Sequence, residues 1–232
     1  MTDTALLTAL RQITTATITT VLLKKGIRSA WMKGPRPLAQ TQGRVAGRAF
    51  TLRFVPARED LATPASWSSP RSTRAAIEEM PEGCIAVIDA MGVTNAGVFG
   101  DILAQRMTVR GVAGLVTDGV MRDKAGVLET GLPVWCAGVA APASVAGLTF
   151  VGWQEPVGCG GCAIYPSDVV VADGDGAVVI PAALAEEVAR LGAEQEKLEA
   201  WIMDEVKAGK KLPGLYPPNE ETLARYAARK RD

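Results

Sequence analysis

The chain contains no histidine, which removes Ser-His-Asp triads, Cys-His dyads and imidazole metal sites from consideration. Acid-base chemistry must run on carboxylates, Lys, Tyr, Cys or bound water. Two segments then carry the strongest chemical signal. Gly100-Asp101-Ile102-Leu103 offers backbone N–H groups near a predicted helix start, a ready site for a carboxylate or phosphate. Asp118-Gly119-Val120-Met121-Arg122-Asp123 offers a guanidinium for a bidentate carboxylate grip, and beside it a carboxylate able to hold a hard cation. On physical grounds alone the plainer readings stay open: Asp101 as a helix cap, and Arg122-Asp123 as a solvated turn pair.

Other motifs weigh less. Cys159-Gly-Gly-Cys162 has the spacing of a redox or zinc half-site, but only Cys84 and Cys136 remain as thiols and no histidine can complete a zinc shell, so a tight backbone turn is the expectation. Asp173-Gly174-Asp175-Gly176 evokes a calcium loop, yet the closing Glu is absent and a hairpin turn is expected. Lys124, the only lysine of the central block, is a candidate Schiff-base former. Next to Asp123 in a loop it reads as an ordinary ammonium, since catalytic lysines need burial or cationic neighbours. Glu194, Glu196 and Glu199 around Lys197 read as a solvated charged face.

Position along the chain brings the two segments together. Cys84 to Asp89 predicts an apolar strand, Gly97 to Val109 a helix and Gly114 to Asp118 a second strand, a βαβ unit. In a right-handed crossover the helix starts, and the second strand ends, at the same sheet edge, so Gly100 to Leu103 should meet Asp118 to Asp123. Before this unit, the first 25 residues predict helix stopped at Gly26, residues 26 to 47 a loop, and Arg48 to Val55 a half-buried strand. The polar stretch from Pro56 to Pro70 is a loop long enough for a binding or contact role. Short strands are expected at Pro133 to Cys136, Leu148 to Val151, Asp168 to Ala172 and Ala177 to Ile180. A last helix follows Pro181, with Leu184, Val188, Leu191, Leu198 and Ile202 on one face.

Length and composition set the frame. The 232 residues predict a single domain, 1–232, with a helical N-terminal and an extended C-terminal segment; Leu212 to Pro218 before a basic tail suits wrapping a partner. Lys plus Arg (25) balances Asp plus Glu (25), which argues against a nucleic-acid partner. Four cysteines in a chain this long predict a reducing, cytoplasmic setting, and no signal peptide or membrane span is expected.

The spacing of Asp101, twenty residues, then Arg122-Asp123, within Gly-Asp-Ile-Leu-Ala and Arg-Gly-Val-Ala-Gly-Leu-Val-Thr-Asp-Gly-Val-Met-Arg-Asp, resembles the class II 4-hydroxy-4-methyl-2-oxoglutarate / 4-carboxy-4-hydroxy-2-oxoadipate aldolases. Their superfamily also contains the regulator of ribonuclease activity A. The resemblance runs from about Arg48 to Pro181 and implies an α/β fold, the swivelling β/β/α domain of the ribonuclease-activity-regulator-like type, assembled as a homotrimer or homohexamer. It further implies a metal-dependent carbon-carbon lyase acting on a 2-oxo acid, by retro-aldol release of pyruvate or by oxaloacetate decarboxylation. Asp123 would ligate Mg²⁺ or Mn²⁺, Arg122 would hold the substrate near its carbonyl and carboxylate, N–H groups of Gly100, Asp101, Ile102 and Leu103 would bind the pyruvyl carboxylate, and Asp101 would orient a metal-bound water. By the same resemblance Glu199 would reach a neighbouring subunit's metal. The alternative is a non-catalytic regulator that binds an RNA-processing enzyme through the same fold. That branch tends to lose the Asp after the Arg, which this chain keeps. One departure is Gly126, where the aldolases carry an acidic residue.

Overall fold

A computed structural model describes residues 1–40 and 42–229. Its elements, in chain order, are α1 (Asp3–Leu10), α2 (Thr15–Lys24), β1 (Arg36–Pro37), β2 (Val45–Pro56), α3 (Thr73–Glu79), β3 (Ile85–Asp89), α4 (Asp101–Val109), β4 (Gly114–Thr117), α5 (Lys124–Glu129), β5 (Val134–Cys136), β6 (Leu148–Trp153), β7 (Val169–Asp173), β8 (Gly176–Ile180), α6 (Ala185–Lys207) and α7 (Glu220–Arg229).

The eight strands form one sheet in the order β1-β5-β4-β3-β2-β7-β8, with β6 also paired to β2. β2 to β5 are parallel neighbours, as right-handed helical crossovers require. The twelve-residue β2 changes partner along one edge: Val45 to Arg48 pair with β7, and Leu52 to Pro56 pair with β6. The sheet then curls back on itself. Val179 N–H donates to Ala30 C=O and Met32 N–H to Ala177 C=O, after which β1 pairs with β5, so residues 30 to 37 lace β8 to β5 and nearly close a barrel.

Strand alternation then sorts the core into an interior and two outer faces. Ile85, Val87, Val116, Trp135, Val170, Ala172, Ala177 and Val179 point inward with Met32. Ala86, Ile88, Leu115 and Val134 point outward to Ala76 and Ile77 of α3, Ala104 and Met107 of α4 and Val127 of α5. Val169, Val171, Val178 and Ile180 face α1, α2 and the first half of α6. Each buried Val, Ile or Leu contributes about 1.5–3 kcal/mol relative to exposure, and the three layers together fix the strand edge on which the site is built.

Several elements depart from expectation. The N-terminal helix is two helices bent by 106°, each capped by a threonine: Thr2 Oγ1 accepts from Ala5 N–H and Thr14 Oγ1 from Thr17 N–H. No single helix among the described residues is long and apolar enough to cross a membrane. Residues 26 to 47 are not wholly loop, because β1 and the start of β2 lie there; Thr41 is outside the described residues. The helix expected from Gly97 begins at Asp101, because Gly97 bridges Val120 and Ala143 as extended chain. The apolar stripe of α6 serves two cores: Val188 packs on the β7–β8 face, whereas Ile202 joins Trp201, Leu198, Leu215 and Tyr226 in a small separate cluster.

The C-terminal segment is not simply extended. Asn219 Oδ1 accepts from Thr222 N–H at 2.9 Å and opens α7. Tyr226 then packs 5.4 Å from Trp201, and Glu205 pairs with both Lys210 and Arg225. Residues 230–232, the end of the basic tail, lie outside the described residues.

Candidate active site

The two segments singled out for chemistry are stitched together by backbone. Val98 N–H donates to Val120 C=O at 2.8 Å and Arg122 N–H to Phe99 C=O at 2.9 Å, which lays the approach to α4 alongside the turn after β4. Two buried side chains shape that turn. Thr117 Oγ1 accepts from Gly119 N–H at 3.0 Å, and the Asp118 carboxylate accepts from Ala90 N–H at 2.8 Å and Gly160 N–H at 3.1 Å. Burial pushes the Asp118 carboxyl above its ordinary value, with the neighbouring Asp89 adding to the shift while the backbone donors oppose it.

Asp123 sits in the left-handed region (φ 52°, ψ 46°) as the residue before α5, a conformation that Asp tolerates better than most residues. Its C=O accepts from Val127 N–H at 2.9 Å, so the strained backbone still starts the helix. Its side chain makes no capping bond; Oδ2 instead accepts from Arg122 Nε at 3.0 Å. With side chains 36% and 43% exposed, this pair contributes little stability. Its polar atoms face an open cleft.

That cleft, of about 220 Å³, is lined by Gly97 to Leu103, Arg122 and Asp123, with Trp67, Arg74, Ala143 and Ser144 on the remaining walls. It lies below the roughly 300–1,000 Å³ of pockets for drug-sized ligands, a size suited to a small metabolite. The first-turn N–H groups of α4, from Asp101 to Leu103, have no intrahelical acceptor and bring the positive end of the helix to the cleft. Ile102 N–H is taken by Asp101 Oδ1 at 2.7 Å.

Two glycines make this approach possible. A Cβ at Gly100 would lie 2.5 Å from Asp123 Oδ2, so only glycine lets the helix start meet that carboxylate. A Cβ at Gly126 would lie 2.7 Å from Asp101 Oδ2 and 2.8 Å from Asp101 Cβ. The residue that stands where the aldolases carry an acid is therefore the space into which Asp101 packs.

The remaining candidates fall elsewhere. Exposed Lys124 is the first residue of α5 and is not among those lining the cleft. Glu199 is half-buried on α6, accepts from Gln195 Nε2 at 2.8 Å, and does not line the cleft of its own chain. Cys159 to Gly161 form a tight 3₁₀ turn. All four thiols are free and buried, and burial raises their pKa values, to about 12 for Cys84 and about 11 for Cys162, which makes them poor nucleophiles. Asp173 and Gly176 close the expected β7–β8 hairpin. Among the described residues no three His, Cys, Asp or Glu side chains converge on one point.

A divalent ion fits this donor set in one respect: Asp123 is an exposed, hard oxygen ligand in a polar cleft, and Gly100 leaves the space beside it open. One carboxylate leaves most of such an ion's shell to water, ligand or another subunit. Sequence reasoning missed Trp67, Arg74, Ala143 and Ser144. Trp67 comes from the Pro56 to Pro70 loop, whose length was its only signal.

A mixed, helix-covered sheet with a parallel centre that nearly closes, with the start of a helix beside an Arg-Asp turn at one edge, defines an α/β protein of the aldolase and ribonuclease-regulator type. The chain belongs to the RraA-like family (Aldolase/RraA), whose model matches residues 15–179, a span reaching further toward the N-terminus than the motifs alone. A protein of Halalkalibacterium halodurans provisionally named 4-hydroxy-4-methyl-2-oxoglutarate aldolase is 35% identical over 138 residues, covering 57% of this chain and 65% of that protein. Protein DlpA of Legionella pneumophila is 27% identical over 177 residues, 76% of this chain but 28% of its own length. The chain thus spans slightly under two thirds of the first relative and little more than a quarter of the second. The crystal structure of Streptomyces coelicolor RraAS2, described as an unusual member of the RNase ES inhibitor RraA family, is 36% identical with a TM-score of 0.77, over 86% of this chain and 96% of that one.

Proposed function

We propose that the protein is a divalent-metal-dependent lyase that cleaves the carbon-carbon bond beyond a 2-oxo acid, releasing pyruvate by retro-aldol cleavage, by decarboxylation of oxaloacetate, or both. The observation that carries this reading is the convergence, in one small cleft, of the α4 first turn, the Arg122 guanidinium and the Asp123 carboxylate. The aldolase names among its relatives support the same reading.

In this scheme the N–H groups of Gly100, Asp101 and Leu103, and that of Ile102 once Asp101 Oδ1 releases it, receive the pyruvyl carboxylate at the positive end of α4. Arg122 contacts the 2-oxo oxygen. In retro-aldol cleavage the C3–C4 bond breaks, the 4-hydroxyl gives up its proton as it becomes a carbonyl, and the bond's electron pair becomes the enolate of pyruvate. Protonation at C3 then completes the product. The guanidinium stabilises the oxygen on which that enolate charge develops. Asp101 positions the water that carries these protons, since no histidine is available. Asp123 would hold Mg²⁺ or Mn²⁺, which supplies Lewis-acid stabilisation of the same oxygen when bound. Glu199 of one subunit would complete the shell at the next in a trimer or a dimer of trimers, a cytoplasmic assembly whose partner is a small acid, not nucleic acid.

The test is pyruvate release from a panel of 4-hydroxy-2-oxo acids and oxaloacetate, with Mg²⁺ or Mn²⁺ and after exhaustive chelation. Turnover that needs the added ion is expected; full turnover in metal-free protein would remove Asp123 from the scheme and bring Lys124 forward. A second reading is supported by the RraAS2 structure, described as a member of an RNase-inhibitor family: a regulator without catalysis. Absence of pyruvate from every substrate, together with inhibition of an RNase E-type nuclease, would favour it.

A further inference from the structure

The long stretch between Pro56 and Pro70 has no part in the chemistry above, and its attachment to the fold is unusual. Ala57 N–H donates to Gly147 C=O at 3.1 Å, Arg58 N–H to Thr149 Oγ1 at 2.9 Å and, on the far side, Arg71 Nε to Val151 C=O at 2.8 Å. The two ends are therefore pinned close together, on β6 and the residue before it. Gly152 makes room for the second pin, since a Cβ there would lie 2.6 Å from Arg71 Nη2.

Between the pins the chain bonds only to itself. Leu61 and Ala62 N–H donate to Arg58 C=O, Ser66 N–H to Thr63 C=O and Ser69 N–H to Ser66 C=O, and the Asp60 carboxylate pairs with Arg58. Among the described residues, no hydrogen bond or ion pair joins residues 59–70 to the chain outside 58–71. None of residues 59–70 is buried. A loop of this length with joined ends and internal bonding is an Ω-loop, able to swing as one body, and its slight burial places it at the low end of local stability.

What the loop carries inward is Trp67. It lies in the 3₁₀ turn Pro64–Ser68 and lines the cleft beside Gly100 to Leu103, Arg122 and Asp123. Its ring centre stands 4.8 Å from Arg74 Cζ. Behind it, Leu61, Ala62 and Trp67 face Phe54, Leu148 and Phe150 across a second cavity of about 40 Å³. Apolar side chains that line a void instead of filling it forgo contacts that a small movement can make, and a cation-π stack at an exposed site is weak enough to exchange. One swing of the loop thus changes how far Trp67 covers the mouth of the cleft.

We propose that residues 59–70 form a lid, hinged at Arg58 and Arg71, that brings Trp67 over a small planar acid bound between the first turn of α4 and Arg122. Closure excludes water, which strengthens the pull of Arg122 and the helix end on the bound anion. That the acid is a 2-oxo acid rests on the lyase reading; the hinge rests on the loop's own bonding.

The probe is oxalate, a planar dianion with the two adjacent oxygens of enolpyruvate, added with Mg²⁺ to the intact protein. Ser68→Cys places a fluorophore on the exposed lid selectively, because the four native thiols are buried. Chymotrypsin reads the same loop at Leu61 and Trp67 of the wild type. Without ligand the first cut should fall within 59–70; saturating oxalate should slow it by about tenfold or more and shift the dye's emission. Trp67→Ala should lower kcat/KM for the best 2-oxo acid by about tenfold at an unchanged melting temperature, and Trp67→Phe should recover most of it. A loop that resists chymotrypsin without ligand, or cutting and emission unchanged while calorimetry shows oxalate bound, would overturn the lid. Oxalate-dependent protection without pyruvate from any 2-oxo acid would overturn the lyase reading and leave the lid standing. Pyruvate release with cutting and emission indifferent to oxalate would do the reverse, and neither oxalate binding nor pyruvate release would remove both.

Discussion

Asp173 ends β7 at its hairpin turn and Asp123 ends the turn that leads from β4 into α5, and the two carboxylates have opposite surroundings. The Asp173 carboxylate accepts from Thr15 N–H at 2.9 Å, Thr15 Oγ1 at 2.7 Å and Asp175 N–H at 3.0 Å, and pairs with Arg44 Nε at 3.2 Å. Its residue is 8% exposed, and it ties the start of α2 to the β7–β8 hairpin. Asp123 meets only its neighbour Arg122, is exposed, and occupies a left-handed backbone position. A carboxylate whose lone pairs are all taken by its own chain holds the fold together. One left with spare lone pairs at a cost in backbone strain is available to a ligand.

Exchanging the two roles gives the largest expected effects. Asp123→Asn should lower pyruvate release on the order of 10³-fold, because it removes the carboxylate that would hold the divalent ion, while the urea midpoint barely moves. Asp173→Asn should do the converse, losing about 2–4 kcal/mol in urea unfolding with kcat/KM of the folded protein retained. Matching losses of stability in both variants would dissolve the distinction.

The partner of Asp123 comes next. Arg122→Lys keeps the charge but loses the planar fork, and transition-state stabilisation should fall by about 2–4 kcal/mol, read as kcat/KM. Near-normal kcat/KM would show that the guanidinium is only the turn's ion-pair partner.

Gly126 tests whether the Asp101 rotamer matters. In a short exposed helix Gly→Ala ordinarily gains about 0.5–1 kcal/mol. Here the new Cβ would stand 2.8 Å from Asp101 Cβ, a clash that rotating the carboxylate cannot relieve, so the start of α4 must shift and a lower melting temperature should accompany a rate loss of about tenfold. Unaltered rates would free Asp101 from any proton-handling role.

The smallest effect is in acid. For Asp173, burial alone would raise the pKa, but the bonds from Thr15, Asp175 and Arg44 outweigh it and the net shift is downward. A carboxyl depressed in the folded state contributes stability that is complete above its unfolded value of about 3.9 and is lost as pH falls below that value through the folded one. Wild type should therefore show an extra loss of urea stability below about pH 4 that Asp173→Asn lacks. Parallel pH profiles would mean that the carboxylate's charge is not what binds α2 to the hairpin.

Much of this was legible along the chain, and the particular residues show why. Short apolar runs at Cys84 to Asp89 and Gly114 to Asp118, and polar-apolar alternation at Arg48 to Val55, mark the strands. The βαβ handedness rule then carried Gly100 to Leu103 to the same sheet edge as Arg122-Asp123 without further information. The helix start was misplaced at Gly97 because the signal there is apolar content, whereas what ends the extended chain at Asp101 is pairing with Val120 and Ala143, residues distant in sequence. Asp173 read only as turn chemistry because two of its three partners, Thr15 and Arg44, are distant residues whose contacts no local pattern encodes.

The sequence by itself determined the alternation of the strands, the order of the crossovers and the adjacency of Arg122 to Asp123, all of which follow from periodicities and turn rules that act over a few residues. Only the tertiary structure decided that β2 would divide its edge between β7 and β6, that residues 30 to 37 would lace the sheet nearly shut, and that Trp67 and Arg74 would form a wall of the cleft. Those placements come from burying both faces of one curled sheet at once. The free energy of that burial belongs to contacts between segments tens of residues apart, which short-range pattern does not contain.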